Sequence, residues 1–251
     1  MTWSHRERLR AALHHEQGDR IPIDFGGAEL TSITLPAYER LKAHMGVDAE
    51  TRVMSIIHSA AHPDESILEQ FGVDTRNIQP GPYDGGHQEW IDPNHYIDMF
   101  GVHWKRTEKD MDQHFLHVDG PFYEGDLTID RIDAFDWPDG KNPGLAAGVG
   151  ERVQEIMAAG SYARVLYLPG GVIHRGYAMR GFENYLRDLY RRPEALTHLM
   201  DKLCDFWIDT AVAVIEAVGP ENIDAVYFGE DLGTQEGCMF DPEGIYARYL
   251  K

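Results

Sequence analysis

The stretch that decides the fold is ARVLYLPGGVIHRGYAMRG, residues 163–181. Its first six residues are mostly apolar, and Pro169-Gly170-Gly171 ends the run. A short apolar run that is bounded by proline and glycine is typical of a strand buried on both faces. We therefore predict a strand at 163–168 that ends in a tight turn, followed by a helix at 181–190.

Alternating helices and strands extend on both sides of this stretch. Residues 149–159 and 196–218 have apolar positions at helical spacing, as does a shorter segment at 35–44. Strand-like segments stand at 21–25, 73–79, 163–168 and 223–228, with a more ambiguous one at 52–58. This alternation predicts an α/β fold, in which helices cover a parallel sheet.

Residues 80–142 interrupt the alternation. They are rich in glycine, proline, aspartate and aromatic residues, and they contain alternating pieces such as Val102-His103-Trp104-Lys105 and Phe115-Leu116-His117-Val118. We predict an inserted lobe of short antiparallel strands and loops over about 80–142. So long an irregular segment in a compact domain is more often functional than not.

Composition limits the classes of function. The chain has 251 residues, 43% hydrophobic residues and a formal net charge of −19, which fits one globular domain and disfavours nucleic acid or anionic lipid as a partner. No apolar stretch is long enough for a signal peptide core or a membrane span, so we expect a cytoplasmic protein. The cysteines, Cys204 and Cys238, form no zinc-ribbon spacing, and no metal ligand is assigned in this chain.

Four separated parts of the chain carry a resemblance to a known enzyme superfamily. They are Arg6-Glu7-Arg8-Leu9 with Gly18-Asp19-Arg20-Ile21-Pro22, Asp98-Met99-Phe100-Gly101-Val102-His103-Trp104, Tyr177-Ala178-Met179-Arg180-Gly181, and Glu230-Asp231-Leu232-Gly233-Thr234-Gln235 with Asp241-Pro242-Glu243. In order and spacing they resemble the uroporphyrinogen decarboxylase superfamily. The resemblance implies a partial (β/α)8 TIM-type barrel with about the first half of its strands, forming a single incomplete domain over residues 1–251. The residues Asp241-Pro242-Glu243 themselves predict the start of a last helix that runs to Lys251.

Two branches of that superfamily suggest different reactions. In the superfamily that this chain resembles, the true decarboxylases carry an arginine motif after the first strand and an aspartate after the second. At these places this chain has Asp24-Phe25-Gly26-Gly27-Ala28-Glu29 and Gln79-Pro80-Gly81. A substrate with many carboxylates needs several converging cations, and the strand ends offer mainly carboxylates, with Arg175 and Arg180 as exceptions. The chain therefore resembles the methyltransferase and demethylase branch more closely.

The methyltransferase branch implies zinc and a methyl exchange with a corrinoid, with a small molecule or a corrinoid protein as substrate. Its zinc ligands would come from a His-x-Cys motif and a later cysteine on strands beyond Lys251. One alternative is uroporphyrinogen decarboxylation in tetrapyrrole biosynthesis. A second alternative is a non-catalytic fragment or one half of a split enzyme, which would form a homodimer or pair with a complementing chain.

The candidate site residues follow the strands, because barrels of this kind place their active sites at the carboxyl ends of the strands. Glu230 and Asp231 form a carboxylate pair suited to acid–base catalysis, and Tyr177 is a candidate hydrogen-bond donor. Each has a structural alternative: a carboxylate that caps a turn, or a core tyrosine whose hydroxyl is satisfied. The candidate substrate-binding residues are Asp24, His174, Arg180 and Gln235.

Overall fold

The computed structural model describes residues 3–107, 114–241 and 243. The helices are α1 His5–Leu13, α2 Leu35–Met45, α3 Glu65–Gln70, α4 Ile129–Asp133, α5 Pro143–Ala146, α6 Val149–Ala159, α7 Val172–Arg180, α8 Phe182–Arg191 and α9 Pro193–Val218. The strands are β1 Arg52–Ser55, β2 Ala60–His62, β3 Thr75–Ile78, β4 Glu89–Asp92, β5 His95–Ile97, β6 His103–Arg106, β7 Phe115–Asp119, β8 Ala163–Leu168, β9 Ala225–Phe228, β10 Gly233–Thr234 and β11 Gly237–Cys238. The predicted helix after Asp241 falls on residues outside these ranges.

A parallel sheet in the order β3-β8-β9 organises the fold, which confirms the mixed α/β class. All six residues of β8 are buried, as expected for a central strand covered on both faces. Helices α6 and α9 supply one apolar layer, in which Val153 and Val214 pack with Leu166. The strands at 73–79, 163–168 and 223–228 are thus confirmed, and they point in the same direction.

The predicted strand at 21–25 is wrong, although this segment does lie next to the residue before β3. The amide of Asp74 donates to the carbonyl oxygen of Ile23 at 2.8 Å, but the amide of Ile23 donates to the Asp74 carboxylate at 2.7 Å instead of to a strand. Pro22 has no amide hydrogen to continue a ladder. Among the described residues the sheet does not close into a barrel.

The ambiguous segment at 52–58 contributes to an antiparallel hairpin and does not form a strand of the parallel sheet. Strand β1 pairs with β2, and residues Ile56 and Ile57 pack against the largest apolar cluster. His58 follows on the short connection between the two strands. The hairpin therefore places His58 at the carboxyl ends of the parallel strands, beside residues that follow β8 and β9.

The segment predicted as an inserted lobe contains an antiparallel sheet in the order β4-β5-β6-β7. Its inner side chains, including Trp104 and Phe115, belong to one apolar cluster with residues of α7, α8 and α9. Phe100 packs edge-on against Phe206 of α9, with the ring centroids 4.9 Å apart. The lobe is therefore continuous with the helices that follow β8.

Two buried carboxylates tie helix α1 to the amino ends of the parallel strands. Asp74, just before β3, accepts hydrogen bonds from Arg20 at 2.5 and 2.9 Å and from Arg8 at 3.1 Å, and it lies 2.7 Å from Nδ1 of His5. Asp224, just before β9, is bound by Arg6 and Arg10. We call these two carboxylates and their partners the amino-end network.

The amino-end network gives a structural reason for the first of the four sequence motifs. Arg8 also binds Asp19 at 2.6 Å, so the two halves of the amino-terminal motif contact each other. Helix α1 begins with a capping box, in which the amide of Glu7 donates to Ser4 and the Glu7 carboxylate accepts from the amide of Ser4. In the described part of the chain, none of the helices is both long and apolar enough to cross a bilayer.

Candidate active site

A small cleft opens at the carboxyl ends of β8 and β9, and we call it the mouth cleft. Its volume is about 310 Å³, near the lower limit for small-molecule sites. It combines ionisable side chains with tyrosine rings and backbone of the strand ends. Its lining residues are Glu29, Leu30, His58, Tyr167, Gly170, His174, Tyr227, Phe228, Gly229, Glu230 and Asp231.

The turn after β8 brings the two strand ends close together. A β-carbon at Gly170 would clash with the ring of Phe228, so only glycine allows this approach. Gly171 then precedes helix α7, whose first turn carries His174. The Pro169-Gly170-Gly171 turn is thus what allows α7 to begin directly beside the end of β9.

Glu29 and His58 form an ion pair at the mouth cleft. An oxygen of Glu29 lies 2.9 Å from Nδ1 of His58. The hydrogen bond to Glu29 raises the pKa of His58, outweighing burial. Burial, the largest single influence, disfavours the charged form of Glu29, but the hydrogen bond and charge of His58 together with hydrogen bonds from Ser55 and Tyr167 outweigh it and lower the Glu29 pKa. His58 is therefore held in its charged form more strongly than a histidine in water.

His174 lines the same cleft, but its pKa is shifted in the opposite direction to that of His58. Burial, and then the charge of Arg175, lower the pKa of His174 to about 4. Its ring centroid is 6.4 Å from that of His58. Two histidines with pKa values shifted in opposite directions give the cleft a proton donor beside a neutral proton acceptor.

Glu230 caps helix α7 from the end of β9. Its carboxylate accepts from the amides of Ile173 at 2.8 Å and His174 at 3.2 Å, which otherwise have no partner within the helix. Burial raises the pKa of Glu230 in spite of these hydrogen bonds. The carboxylate thus holds His174 in position through the backbone and carries a proton more readily than an exposed glutamate.

Tyr177 lies beside both His174 and Asp231. The rings of Tyr177 and His174 have centroids 5.0 Å apart, and Tyr177 is 9% exposed. Burial, followed by the charge of Asp231, raises the pKa of Tyr177, so its hydroxyl stays protonated. Asp231 itself is exposed at the cleft. The structure therefore brings four of the predicted residues together: Glu230, Asp231, His174 and Tyr177.

Arg175 points from α7 toward the lobe and not freely into the cleft. Its guanidinium forms an ion pair with Asp98, which also accepts from the amides of Phe100 and Val102 and from the indole of Trp104. It lies over the Phe100 ring, 4.9 Å from the centroid. These bonds explain the spacing of the Asp98–Trp104 motif: it forms a turn that supplies the counter-charge of Arg175.

The other predicted substrate-binding residues lie away from the mouth cleft. Arg180 forms a buried ion pair with Asp188 at 2.7 Å and also donates to the carbonyl oxygens of Phe122 and Gly125. Asp24 caps its own turn by accepting from the amide of Gly27 and from the Thr75 hydroxyl. Gln235 is exposed at the tip of the β10–β11 hairpin. None of the three lines the cleft among the described residues.

Sequence reasoning missed the Glu29–His58 pair. Glu29 appeared only as part of a segment without a cation, and His58 appeared at the end of a run that was expected to be a strand. Both follow strand-like runs, which is the general signal for residues at the mouth of such a fold. Their pairing depends on the hairpin, and nothing local in the sequence indicates it.

The described residues do not fit a zinc site. No group of three or more histidine, cysteine, aspartate or glutamate side chains in them is arranged to hold a metal ion. His58, His114 and His174 approach one another, but their rings contact edge to face, with centroids 6.4 to 6.5 Å apart.

Comparison with known proteins shows the fold but no family. No protein-family model matches the chain, and no curated protein matches it. Among solved structures, a methyltransferase from Methanosarcina mazei has a similar fold with a TM-score of 0.53 and 13% sequence identity. The match covers 99% of this chain and 64% of that chain, so this chain spans less than two thirds of the methyltransferase. The chain therefore has a methyltransferase-like fold.

Proposed function

We propose that this chain belongs to a methyltransferase- or demethylase-type enzyme that exchanges a methyl group between a small molecule and a corrinoid. The observation that carries the proposal is the pair His58 and His174, whose pKa values are shifted in opposite directions at one cleft. The methyltransferase-like fold and the motif resemblance to the uroporphyrinogen decarboxylase superfamily support it.

Removing a methyl group from an oxygen requires a proton. The group that takes up the methyl supplies the electron pair of the new bond to carbon as the carbon–oxygen bond breaks. The oxygen keeps the electrons of the broken bond and must be protonated. His58 supplies this proton because Glu29 raises its pKa. A positioned general acid of this kind contributes roughly 10²- to 10⁴-fold to a rate.

The size and charge of the mouth cleft favour a small substrate. A volume of about 310 Å³ holds a single ring, and Tyr167 and Tyr227 provide aromatic walls. Glu29, Glu230 and Asp231 would repel the carboxylates of a tetrapyrrole such as uroporphyrinogen. We therefore favour methyl transfer over the decarboxylase alternative. The described residues do not fit zinc, so no step is assigned to a metal.

The edge of the parallel sheet supports the barrel proposal. On β9, the edge strand of the described sheet, Val226 is 54% exposed and Phe228 is 43% exposed. Edge strands with such apolar groups favour pairing with further polypeptide. We propose that additional strands, from a longer chain, a second copy or a complementing chain, complete a (β/α)8 barrel here. Sedimentation velocity of the 251-residue chain tests the second-copy arrangement, which requires a dimer.

The functional test is demethylation of a small aryl ether. The chain is incubated with 4-methoxyphenol and cob(I)alamin, with and without added Zn²⁺, and both hydroquinone and methylcobalamin are quantified. We expect equal amounts of the two products, and we expect His58→Ala to reduce their formation roughly 10²-fold or more. His198→Ala is the matched control, because His198 pairs with Asp133 on α4 outside the cleft.

Other outcomes decide between the alternatives. Conversion of uroporphyrinogen to coproporphyrinogen by the same preparation would replace methyl transfer with decarboxylation. Absence of both reactions in a folded chain would overturn catalysis by this chain and favour a non-catalytic piece.

A further inference from the structure

A second and larger cleft lies between the β1–β2 hairpin, the end of β3, the lobe and the start of α6. Its volume is about 600 Å³, within the range of small-molecule sites. We call it the lateral cleft. Apolar and aromatic side chains form much of its wall, including Met54, Tyr83, Tyr96 and Leu145.

The lateral cleft is lined by basic side chains and by no carboxylate of the described residues. Arg52, His62 and Arg152 line it, and none of its described lining residues is acidic. The whole chain has a formal net charge of −19, and the mouth cleft is lined by carboxylates. A local concentration of positive charge in so acidic a protein indicates an anion-binding function.

These basic groups have few anionic partners in the protein. Arg52 contacts Nδ1 of His62 at 3.5 Å, and no carboxylate among the described residues forms an ion pair with it. Arg152 donates to the carbonyl oxygen of Asn77 at 3.3 Å and to Glu155, an exposed residue, at 3.2 Å. Burial, and then the charges of Arg52 and Arg152, lower the pKa of His62 to about 4, so the two arginines carry the positive charge of the cleft at neutral pH. An anion in the cleft would offset the charge of these two guanidinium groups.

The amino end of helix α6 adds a further anion-binding element. Gly148, the residue before α6, has a φ of +74° and, like Val149, lines the lateral cleft. Within the described part of the chain, no side chain caps this end of the 11-residue helix. Uncapped amides and the helix dipole favour a negative charge at this position.

One buried acceptor in the cleft also lacks a partner. The Oε1 atom of Gln79 is buried without a hydrogen bond, although Gln79 lines the cleft. Leaving a buried acceptor unsatisfied is unfavourable, so the site calls for a donor such as a hydroxyl group. The two arginines, the helix end and this acceptor are independent features that converge on one cavity.

We propose that the lateral cleft binds a small carboxylate with an aromatic body and a hydroxyl group. Its carboxylate lies between Arg52, Arg152 and the start of α6, its ring packs against the aromatic and apolar wall, and its hydroxyl donates to Gln79. The guanidinium groups suit a carboxylate because they donate two parallel hydrogen bonds. The proposal does not depend on methyl transfer at the mouth cleft.

Calorimetric titration with 4-hydroxyphenylacetate tests the proposal, with 4-hydroxyphenylacetamide as the neutral counterpart. We expect the acid to bind at least tenfold more tightly than the amide, and added salt to weaken only the acid. Arg52→Gln and Arg152→Gln are each expected to weaken the acid tenfold or more. Arg187→Gln is the matched control, because Arg187 is exposed and pairs only with Glu183 four residues earlier on α8.

Amide chemical shifts locate the bound acid without relying on a variant that folds poorly. Titration of the unaltered chain is expected to shift the amide signals of Gly148 and Val149. Equal binding of acid and amide, or unshifted signals at these two residues, would overturn the proposal. Binding that is lost in His58→Ala but kept in Arg52→Gln would assign the ligand to the mouth cleft and also overturn it.

Discussion

The two ends of the parallel sheet use the same kind of side chain in opposite ways. At the amino end, Asp74 and Asp224 are fully buried, and arginines surround them. At the carboxyl end, Glu230 has backbone amides as partners, and Glu29 has one histidine. The difference shows that the number of cationic partners separates a structural carboxylate from one that remains available for chemistry.

The pKa shifts of Asp74 and Glu230 differ in the same sense, whereas the pKa of Glu29, which has a cationic partner, is lowered like that of Asp74. Burial opposes ionisation of Asp74, but the hydrogen bonds from Arg20, Ile23, His5 and Arg8 outweigh it and lower its pKa. For Glu230, burial outweighs the hydrogen bonds from the backbone amides of α7, and the pKa rises. The first carboxylate is fixed in its charged form, whereas the second lies closer to the pH range in which a proton can be exchanged.

The largest expected effect is on stability, from Asp74→Asn. Removing one partner of a buried ionic network costs roughly 3–5 kcal/mol, because the groups around the buried carboxylate, Arg8 and Arg20 among them, lose their counter-charge. Urea unfolding at pH 7 measures this loss. The wild-type advantage is present above about pH 3.9, the pKa of an unfolded aspartate, and is lost as pH falls through the lower pKa of folded Asp74.

The matched control for Asp74→Asn is Asp19→Asn, since Asp19 binds the same Arg8 at 39% exposure. We expect a much smaller loss of stability there. Equal losses of stability for the two variants would contradict the distinction between buried Asp74 and exposed Asp19.

The second effect concerns proton transfer, from Glu29→Gln. This change removes the anion that raises the pKa of His58, so the His58 pKa falls. Activity that depends on protonated His58 decreases as pH rises through that pKa, and the variant should therefore lose activity at lower pH than the wild type. The loss at a fixed neutral pH should be smaller than that of His58→Ala.

NMR titration of the histidine rings checks the same pair directly. In the wild type, His174 should titrate near pH 4, whereas His58 should titrate above the usual value of about 6.5. A His58 pKa that does not respond to Glu29→Gln would show that the ion pair is absent in solution.

The smallest effect is expected from Glu230→Gln, because glutamine still offers an oxygen to the amides of α7. The folded pKa of Glu230 is raised, so its contribution to stability is present below the unfolded value of about 4.3 and is lost as pH rises through the folded pKa. The variant should therefore gain stability relative to the wild type between pH 4 and 7. Thermal unfolding across this range measures the trend.

A control separates charge from capping at Glu230. Glu230→Ala removes the cap and should cost about 0.5–2 kcal/mol, as loss of other helix caps does. A pH-independent difference between the wild type and Glu230→Gln would contradict the raised pKa.

The parts of the fold that depend on local pattern were predictable. The strand at 163–168 and the helix at 149–159 have the predicted bounds, because apolar periodicity and terminal glycine act within a few residues. The strand at 21–25 failed because Asp74, distant in sequence, takes the Ile23 amide. Helix α7 was missed, since its two ends are defined by Gly171 and Gly181 and its capping comes from Glu230 on another strand.

The site was predictable in its position but not in its pairings. Placing polar residues after strands found Glu230, Asp231 and His174, which do line the mouth cleft. The same rule selected Arg180, which the structure instead uses in a buried ion pair. Which cation meets which anion is decided by tertiary packing, so the sequence could not distinguish a buried structural arginine from one available to a ligand.

The ion pair between Asp98 and Arg175 has a consequence for protein engineering. Asp98 belongs to the lobe and Arg175 belongs to α7, so their ion pair links two segments that are 77 positions apart in the sequence. A chimera that replaces the lobe but keeps α7 would leave the Arg175 guanidinium without its carboxylate partner unless the new lobe also supplies one. Domain recombination in this fold should therefore keep the lobe and α7 from the same parent.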